Sequence, residues 1–386
     1  MRLPAVASAN GRSSEWPSEL QSKWPYAMKC GMTNSTPRLE LLPPPIRNRL
    51  EEPSGKLPLQ PLSIGTIPLD FPVIQAALSG YSDLPMRVVA RRLGAPYALG
   101  EVMIDRLLLD SRNRGRTRRQ LAIADEEHPV GGQLMGSAPS QFAPAAMKLV
   151  EAGFDVIDIN FGCPVKSAIG GCRGGYHLGQ PEIALEIVDR VRNALPVNIP
   201  VTLKMRRGID ESEESRERFF RILDGAFVRG AAAITVHART VEQKYLGPSN
   251  WDFLRDVKKH AGSKIIIGSG DLFTAEACLE MLSYTRVNAV SVARGAIGKP
   301  WIFQQVRALA AGLPLPVPDL KEQRRVMEMQ CELCLQYKDA AEVHSTMRMF
   351  GIKFAQLHPH SIEVRNAFAL SRDLNDWQDL VNRWYV

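Results

Sequence analysis

Eight short runs rich in β-branched residues alternate with helix-like segments between Pro68 and Pro314, and that alternation predicts an α/β barrel. Two further observations point the same way. Polar and charged residues gather at the carboxyl ends of the runs, the edge at which such barrels carry their chemistry. Beyond Pro314-Leu315-Pro316-Val317-Pro318 the strand texture stops and helical patterns continue to Val386, which predicts a small all-helical C-terminal domain. The fold class is therefore an α/β chain: a TIM (β/α)8 barrel followed by that helical domain. A doubly wound sheet is the alternative, but its early glycine fingerprint is missing.

Residues 1–66 are Pro- and Ser-rich with weak periodicity, and Pro43-Pro44-Pro45, Pro58 and Pro61 interrupt any helix, so a mostly irregular N-terminal extension is expected. The barrel is expected over 67–313. Its strands are read at 73–78, 97–102, 130–134, 156–161, 201–205, 232–237, 264–268 and 289–293. Helical patterns fill the intervals, for example at 140–152, 181–194 and 214–229. Eight such units over about 240 residues is the usual size of this barrel. The helical domain is expected at 318–386, opening with segments 320–339 and 340–357.

The 386-residue chain is 45% hydrophobic and 23% charged, the balance of an ordinary soluble globular protein. No apolar run approaches the roughly 18 residues needed to cross a bilayer. Arg2 is not followed by the apolar stretch of a secretory signal. A cytoplasmic location and no membrane partner are expected; the oligomeric state is left open, with a monomer favoured. The net charge of +7 permits a polyanionic partner without demanding one. Much of the excess is local, in Arg112, Arg114, Arg116, Arg118 and Arg119. That stretch reads either as a solvated loop and helix start or as a phosphate-contacting edge.

Six cysteines are scattered and form no secreted-type framework. Cys331-Glu332-Leu333-Cys334 has the spacing of a zinc half-site, but no second pair or His cluster supports it. Its helical surroundings predict that both thiols pack, and no metal is expected. Cys163 and Cys172 stand nine residues apart across a Gly-rich loop, so a redox pair is one reading of them.

The stretch Ile157-Asp158-Ile159-Asn160-Phe161-Gly162-Cys163-Pro164 reads as a buried strand that ends abruptly in a turn. It places a thiol just past the carboxyl end of the fourth run and makes Cys163 the first candidate catalyst. The third run ends near Gln133, the fifth carries Lys204 and Arg206, and the sixth carries His237 and Arg239. The seventh ends in Gly268-Ser269-Gly270-Asp271 and the eighth in Arg294-Gly295-Ala296. Barrels of this kind often bind a phosphate between the loops after these last two strands. Gly268, Gly270 and Gly295 let backbone N–H groups approach such a phosphate, with Arg294 as countercharge. Tight turns with no ligand are the alternative. Lys204 and Arg206, two apart in a strand, share a face. Two cations inside a barrel call for an anionic or electron-rich partner. A flavin ring, whose N1–C2=O edge gains negative charge on reduction, supplies one. Gln133 can read the pyrimidine edge of that ring, and His237 the same edge or the phosphate.

Taken together with Asp158–Lys166-spanning Asp-Ile-Asn-Phe-Gly-Cys-Pro-Val-Lys, Val201-Thr-Leu-Lys204-Met-Arg206, Ile234-Thr-Val-His237-Ala-Arg239-Thr and Ala293-Arg294-Gly295-Ala296-Ile-Gly-Lys-Pro300-Trp301-Ile-Phe303, the chain resembles the dihydrouridine synthases. These are flavin enzymes that reduce uridine in tRNA. The resemblance covers about 70–386. It implies FMN at the barrel mouth, NADPH or NADH as electron donor, and tRNA as partner, held in part by the helical domain. It implies that Gln133, Lys204 and His237 touch the flavin ring, that Gly270, Arg294 and Gly295 hold its phosphate, and that Ala76, Ala77, Ser269 and Asp271 line the cofactor. Asn160, Arg206 and Arg239 fall on the substrate side. Cys163 corresponds to the acid that protonates uracil C5 while reduced FMN delivers hydride to C6. A free thiol is mostly protonated near neutral pH and can serve as that acid. Extruding a uridine from folded RNA costs a few kcal/mol, which phosphate contacts offset.

The chain departs from the family pattern in four places. Gln75-Ala76-Ala77-Leu78-Ser79-Gly80 stands where a Pro-Met-Ala-Gly-like turn is usual, and Ser269 where Asn is common. The loop Gly170-Gly171-Cys172-Arg173-Gly174-Gly175-Tyr176-His177-Leu178 is unusual and is expected to approach the substrate. In the tail, only Arg348 and Lys353 remain of a basic segment. Two other functions stay open: a flavin-dependent reductase of a small molecule or a different RNA, and a non-catalytic RNA-binding relative. Cys163, Lys204, Arg206 and His237 argue against the second.

Overall fold

A short antiparallel hairpin, β1 (Leu62–Ile64) and β2 (Ile67–Leu69), precedes eight strands that close into a barrel. The computed structural model describes Leu59 and residues 61–386. Of the extension expected over 1–66, residues 1–58 (with Cys30) and residue 60 lie outside the described residues, as do the side chains of Arg114 and Arg116. The barrel strands are β3 (Val73–Gln75), β4 (Ala98–Ile104), β5 (Val130–Met135), β6 (Val156–Phe161), β7 (Val201–Arg206), β8 (Ala233–His237), β9 (Ile266–Ser269) and β10 (Ala289–Val292). Each pairs in parallel with its sequence neighbour, and β10 closes on β3 through Val290 opposite Val73.

The hairpin arises from alternation within the stretch expected to be mostly irregular. Leu62 and Ile64 are buried and Ser63 between them is exposed. Gly65 makes the turn at φ 59°, where a Cβ would press on Pro200. Leu62, Ile64 and Leu69 pack with Ile74, Tyr97, Val156, Ala233, Ile267 and Ala289, which lie at the amino ends of the barrel strands. The hairpin thereby plugs one end of the barrel with apolar side chains and leaves the carboxyl end for polar ones.

The strands follow the two-residue period. On β6, Ile157, Ile159 and Phe161 are fully buried against the helical layer, while Asp158 and Asn160 face inward and bond across strands. The outer helices begin with side-chain caps at Asp83, Ser212, Asn250 and Thr274. Helix Glu213–Val228 buries Phe219, Ile222, Leu223 and Ala226 on one face, the helical period. A buried ion pair fixes helix Leu84–Arg92: Arg87 donates to both Glu127 oxygens and to the Ser82 and Ala122 carbonyls.

After Pro318 the chain is helical, with helices at Leu320–Tyr337, Ala340–Phe354, Ser361–Leu370 and Leu374–Trp384. The first ends earlier than the pattern suggests, because Asp339 accepts from Glu342 N (2.9 Å) and caps the next. The barrel segment Gly298–Phe303 seats the tail. Gly298 lies at φ 70° with its Cα against the Lys353 backbone, leaving no room for a Cβ. Trp301 donates to Glu322 (3.0 Å) and meets Phe354 edge-on. Cys331 and Cys334 are buried and free, and burial pushes their thiols up to about 11 and about 12. They pack, as the helical reading expects. Among the described residues no helix is long and apolar enough to cross a membrane.

Candidate active site

Register brings the functional side chains to one edge of the barrel. Gln133 lies opposite Asp158, Asn160 opposite Lys204, Arg206 opposite His237, and His237 opposite Ser269. Four consecutive strands therefore carry Gln133, Asn160, Lys204 and His237 to the carboxyl mouth, with Cys163 on the turn that follows β6. Cys163 is half-buried and close enough to Lys204 and Arg206 to act on the charge of each.

The turn is held from beneath. Asn160 Oδ1 accepts from Gly162 N (2.9 Å) and Cys163 N (3.1 Å). Asn160 Nδ2 donates to Gln133 Oε1 (2.7 Å), and Gln133 Nε2 donates to Asp158 Oδ2 (2.7 Å). Thr202 donates to the other Asp158 oxygen at 2.6 Å. The unusual loop lies on the same turn: Gly175 N donates to the Cys163 carbonyl, and Gly174, at φ 59°, packs so closely that a Cβ would meet Cys163 Cβ at 2.7 Å. His177 does not turn to the mouth. It is buried, bonds to the Gly136 carbonyl and meets Phe161 edge-on. Tyr176 lies beside Cys172 and meets the His177 ring edge-on. Within the loop expected to approach the substrate, His177 therefore has a packing role.

The cations divide into two kinds. Arg206 and Arg239 are 3% exposed and anchor the loop after β8. Arg206 donates to the Gly162, Thr240 and Lys244 carbonyls. Arg239 donates to the Gly247 carbonyl and to both oxygens of Asp271, which also accepts from Ser249 N. Lys204 and Arg294 make no hydrogen bond or ion pair among the described residues. Burial, with Arg206 adding to it, pushes the Lys204 ammonium down to about 8. Arg294 lies 4.8 Å from the Tyr245 ring and 5.1 Å from Phe273. Burial, then the surrounding Lys204, Arg206, Arg239 and Arg294, holds His237 well below the usual imidazole range. His237 Nδ1 accepts from Arg239 N (3.3 Å), so the neutral ring presents Nε2–H.

The glycine turns are of two sorts as well. Gly270 sits at φ 123°, and a Cβ there would strike Ser249 Oγ, which has no partner among the described residues. Gly295 is required by packing, since a Cβ would lie 2.0 Å from the Leu272 carbonyl oxygen. Ser269 Oγ donates to the Ser291 carbonyl. At the end of β3, Ala76 N bonds to the Val292 carbonyl; Ala76 is buried and Ala77 half-buried.

Residues 74–383 match the family model described as dihydrouridine synthase. The chain belongs to the dihydrouridine synthase family. Among similar proteins, tRNA-dihydrouridine synthase B of Xanthomonas axonopodis pv. citri is 34% identical over 79% of this chain and 90% of its own length. The probable tRNA-dihydrouridine synthase of Rickettsia conorii is 31% identical over 81% and 92%. Two solved structures share the barrel fold at low identity. They are 2-naphthoyl-CoA reductase (TM-score 0.54, 12% identity, 66% of this chain and 52% of that one) and histamine dehydrogenase from Rhizobium sp. 4-9 (TM-score 0.52, 14% identity, 70% and 50%). The chain spans about half the length of each. As a member of the dihydrouridine synthase family, the protein is an oxidoreductase.

For this dihydrouridine synthase family member, motif reading passed over Asp158, Thr202 and Tyr245. Asp158 and Thr202 carried a signal, for each stands two residues before a singled-out side chain on the same strand face. Tyr245, 48% exposed between Arg206 and Arg294, carried none.

Proposed function

We propose that the protein reduces uridine to 5,6-dihydrouridine in tRNA with an FMN cofactor and NADPH or NADH as electron donor. The observation that carries this reading is the meeting, at the carboxyl edge of the neighbouring strands β6 and β7, of the Cys163 turn with a Lys204 that has no hydrogen-bond or ion-pair partner among the described residues, in a chain of this family. The donor set fits FMN. Lys204 is a cation pushed toward neutrality, so an electron-rich ring edge relieves it. The neutral His237 offers Nε2–H, and Gln133 retains one amide hydrogen for the pyrimidine edge. At the other side of the mouth, Gly270, the unpartnered Ser249 hydroxyl, Arg239 Nη1 and Arg294 form a cradle for a phosphate. Ser269, Asp271, Gly295, Ala76 and Ala77 shape that wall, Asp271 by fixing Arg239. Bound and reduced, FMN supplies a hydride for uracil C6.

The chain's own residues do the remaining work. Cys163 donates the proton to C5. Arg206 and Arg239 hold the loop that carries Tyr245 and thereby shape the substrate side, and Asn160 aims the Cys163 turn. The barrel at 67–313 holds the cofactor and the helices of 318–386 contribute to holding the RNA. Arg119, tied to Glu342 of the tail, lies where both meet. The test is purification followed by an absorption spectrum and nucleoside mass spectrometry. A flavin spectrum bleached by NADPH and dihydrouridine formed in tRNA support the reading. A colourless protein, or flavin reoxidised by small enones and not by RNA, overturns it.

A further inference from the structure

We propose that Asp158 is a positioning residue that sets the direction of the Cys163 turn through a relay of two side-chain amides. The inference rests on the reading of Cys163 as proton donor. Asp158 and Gln133 are each 1% exposed, so neither can exchange a lost partner for water.

The relay has a sense on which both ends agree, since the Asp158 carboxylate accepts and the Gly162 and Cys163 backbone N–H groups can only donate. An amide side chain can be turned over, exchanging its donor and acceptor, but an ionised carboxylate accepts at both oxygens. Asp158 Oδ2 takes the Gln133 N–H at 2.7 Å. That commits Gln133 Oε1 to the opposite side, where it takes the Asn160 N–H at 2.7 Å. Asn160 must then present its oxygen to the turn, and it accepts both Gly162 N and Cys163 N there. The Thr202 hydroxyl at 2.6 Å holds the carboxylate in place. With no acceptor at 158, the buried Gln133 N–H loses its partner and Gln133 is free to turn over. Its N–H groups would then face the Asn160 N–H, so Asn160, its oxygen still held by the two backbone N–H groups, would lose its own anchor and the turn carrying the thiol would loosen.

Asp158 also lies near Lys204 and supports its charge. Two variants separate the effects. Asp158→Leu removes acceptor and charge. Asp158→Asn removes the charge but can still accept from Gln133 while its NH2 meets the Thr202 oxygen. Each variant is purified with its flavin. Amide hydrogen exchange is measured at Gly162 and Cys163, and RNA-dependent flavin reoxidation is measured per bound flavin. Asp158→Leu is expected to speed exchange at those two amides and to slow reoxidation, each by about 10-fold. Asp158→Asn is expected to stay within about 3-fold of wild type on both. Because the relay acts through Asn160, adding Asp158→Leu to Asn160→Ala should cost nothing more. Should Asp158→Leu fail to fold, Gln133→Met breaks the next link and carries the same expectation for exchange. Unchanged exchange in the broken-relay variants, equal damage from Asp158→Asn and Asp158→Leu, or additive losses in the double variant would overturn the proposal. Full RNA turnover by Cys163→Ala would instead overturn the role of the thiol, a result the exchange measurement does not share.

Discussion

Replacing Lys204 by Met should stabilise the flavin-free protein while weakening its hold on flavin. Lys204 stands on β7 beside Arg206, with Asp158 as its acidic neighbour, and the Asp158 oxygens are already taken by Gln133 and Thr202. Burial first, and Arg206 second, lower its pKa from 10.5 to about 8. At about 1.4 kcal/mol per unit, that shift sets an upper bound of about 3 kcal/mol on the cost of the charged form. The side chain is only half-buried, so solvent screening reduces this to about 1–2 kcal/mol. The sign follows from linkage. A base whose folded pKa is depressed binds fewer protons folded than unfolded between pH 8 and 10.5, so stability rises with pH through that window. Below pH 8 the cost is fully present. Urea denaturation of flavin-stripped wild type and Lys204→Met, from pH 7 to 10.5, reads the difference between the two and cancels other titrations. The variant should be more stable at pH 7, and the advantage should shrink as pH rises. A variant less stable at pH 7, or a difference independent of pH, would refute the view that Lys204 is held charged at a cost for a ligand.

Two predictions concern the scaffold. Glu127→Ala leaves the buried Arg87 without its counterion and should cost about 3–5 kcal/mol; thermal melting checks this, and a loss under 1 kcal/mol would show that the pair is solvated. Gln75 is fully buried with neither amide atom partnered among the described residues, so Gln75→Met should leave stability unchanged or raise it by about 1–3 kcal/mol. A clear fall in melting temperature for Gln75→Met would mean that the amide bonds to water or cofactor.

The barrel was legible because its strands are β-branched, buried and short, and because Asn160, Lys204 and His237 share an inward face by simple alternation. The hairpin at 62–69 was hidden: its strands are three residues each, and Pro61 and Pro68 mask the alternation. Hydrogen-bond commitments were also beyond sequence. Arg239 and Asp271 are 32 residues apart, and nothing local shows that they form an ion pair. His177 reads as a polar loop residue, yet Phe161 and the Gly136 carbonyl draw it inward. Asn160 reads as a substrate contact, although its oxygen is engaged by the turn. Pairing between distant residues decides such roles, and motif spacing does not encode it.

The central claim is that the Cys163 thiol protonates a uracil ring that takes its hydride from a flavin held beside Lys204. Its most direct test is a single turnover with flavin-loaded protein, NADPH and unmodified tRNA, read by nucleoside mass spectrometry for wild type and Cys163→Ala. Wild type should convert uridine to dihydrouridine, and Cys163→Ala should keep its flavin, accept electrons from NADPH normally and form product about 100-fold or more slowly. Equal product from the two proteins, or none from fully reduced wild type, would contradict the account.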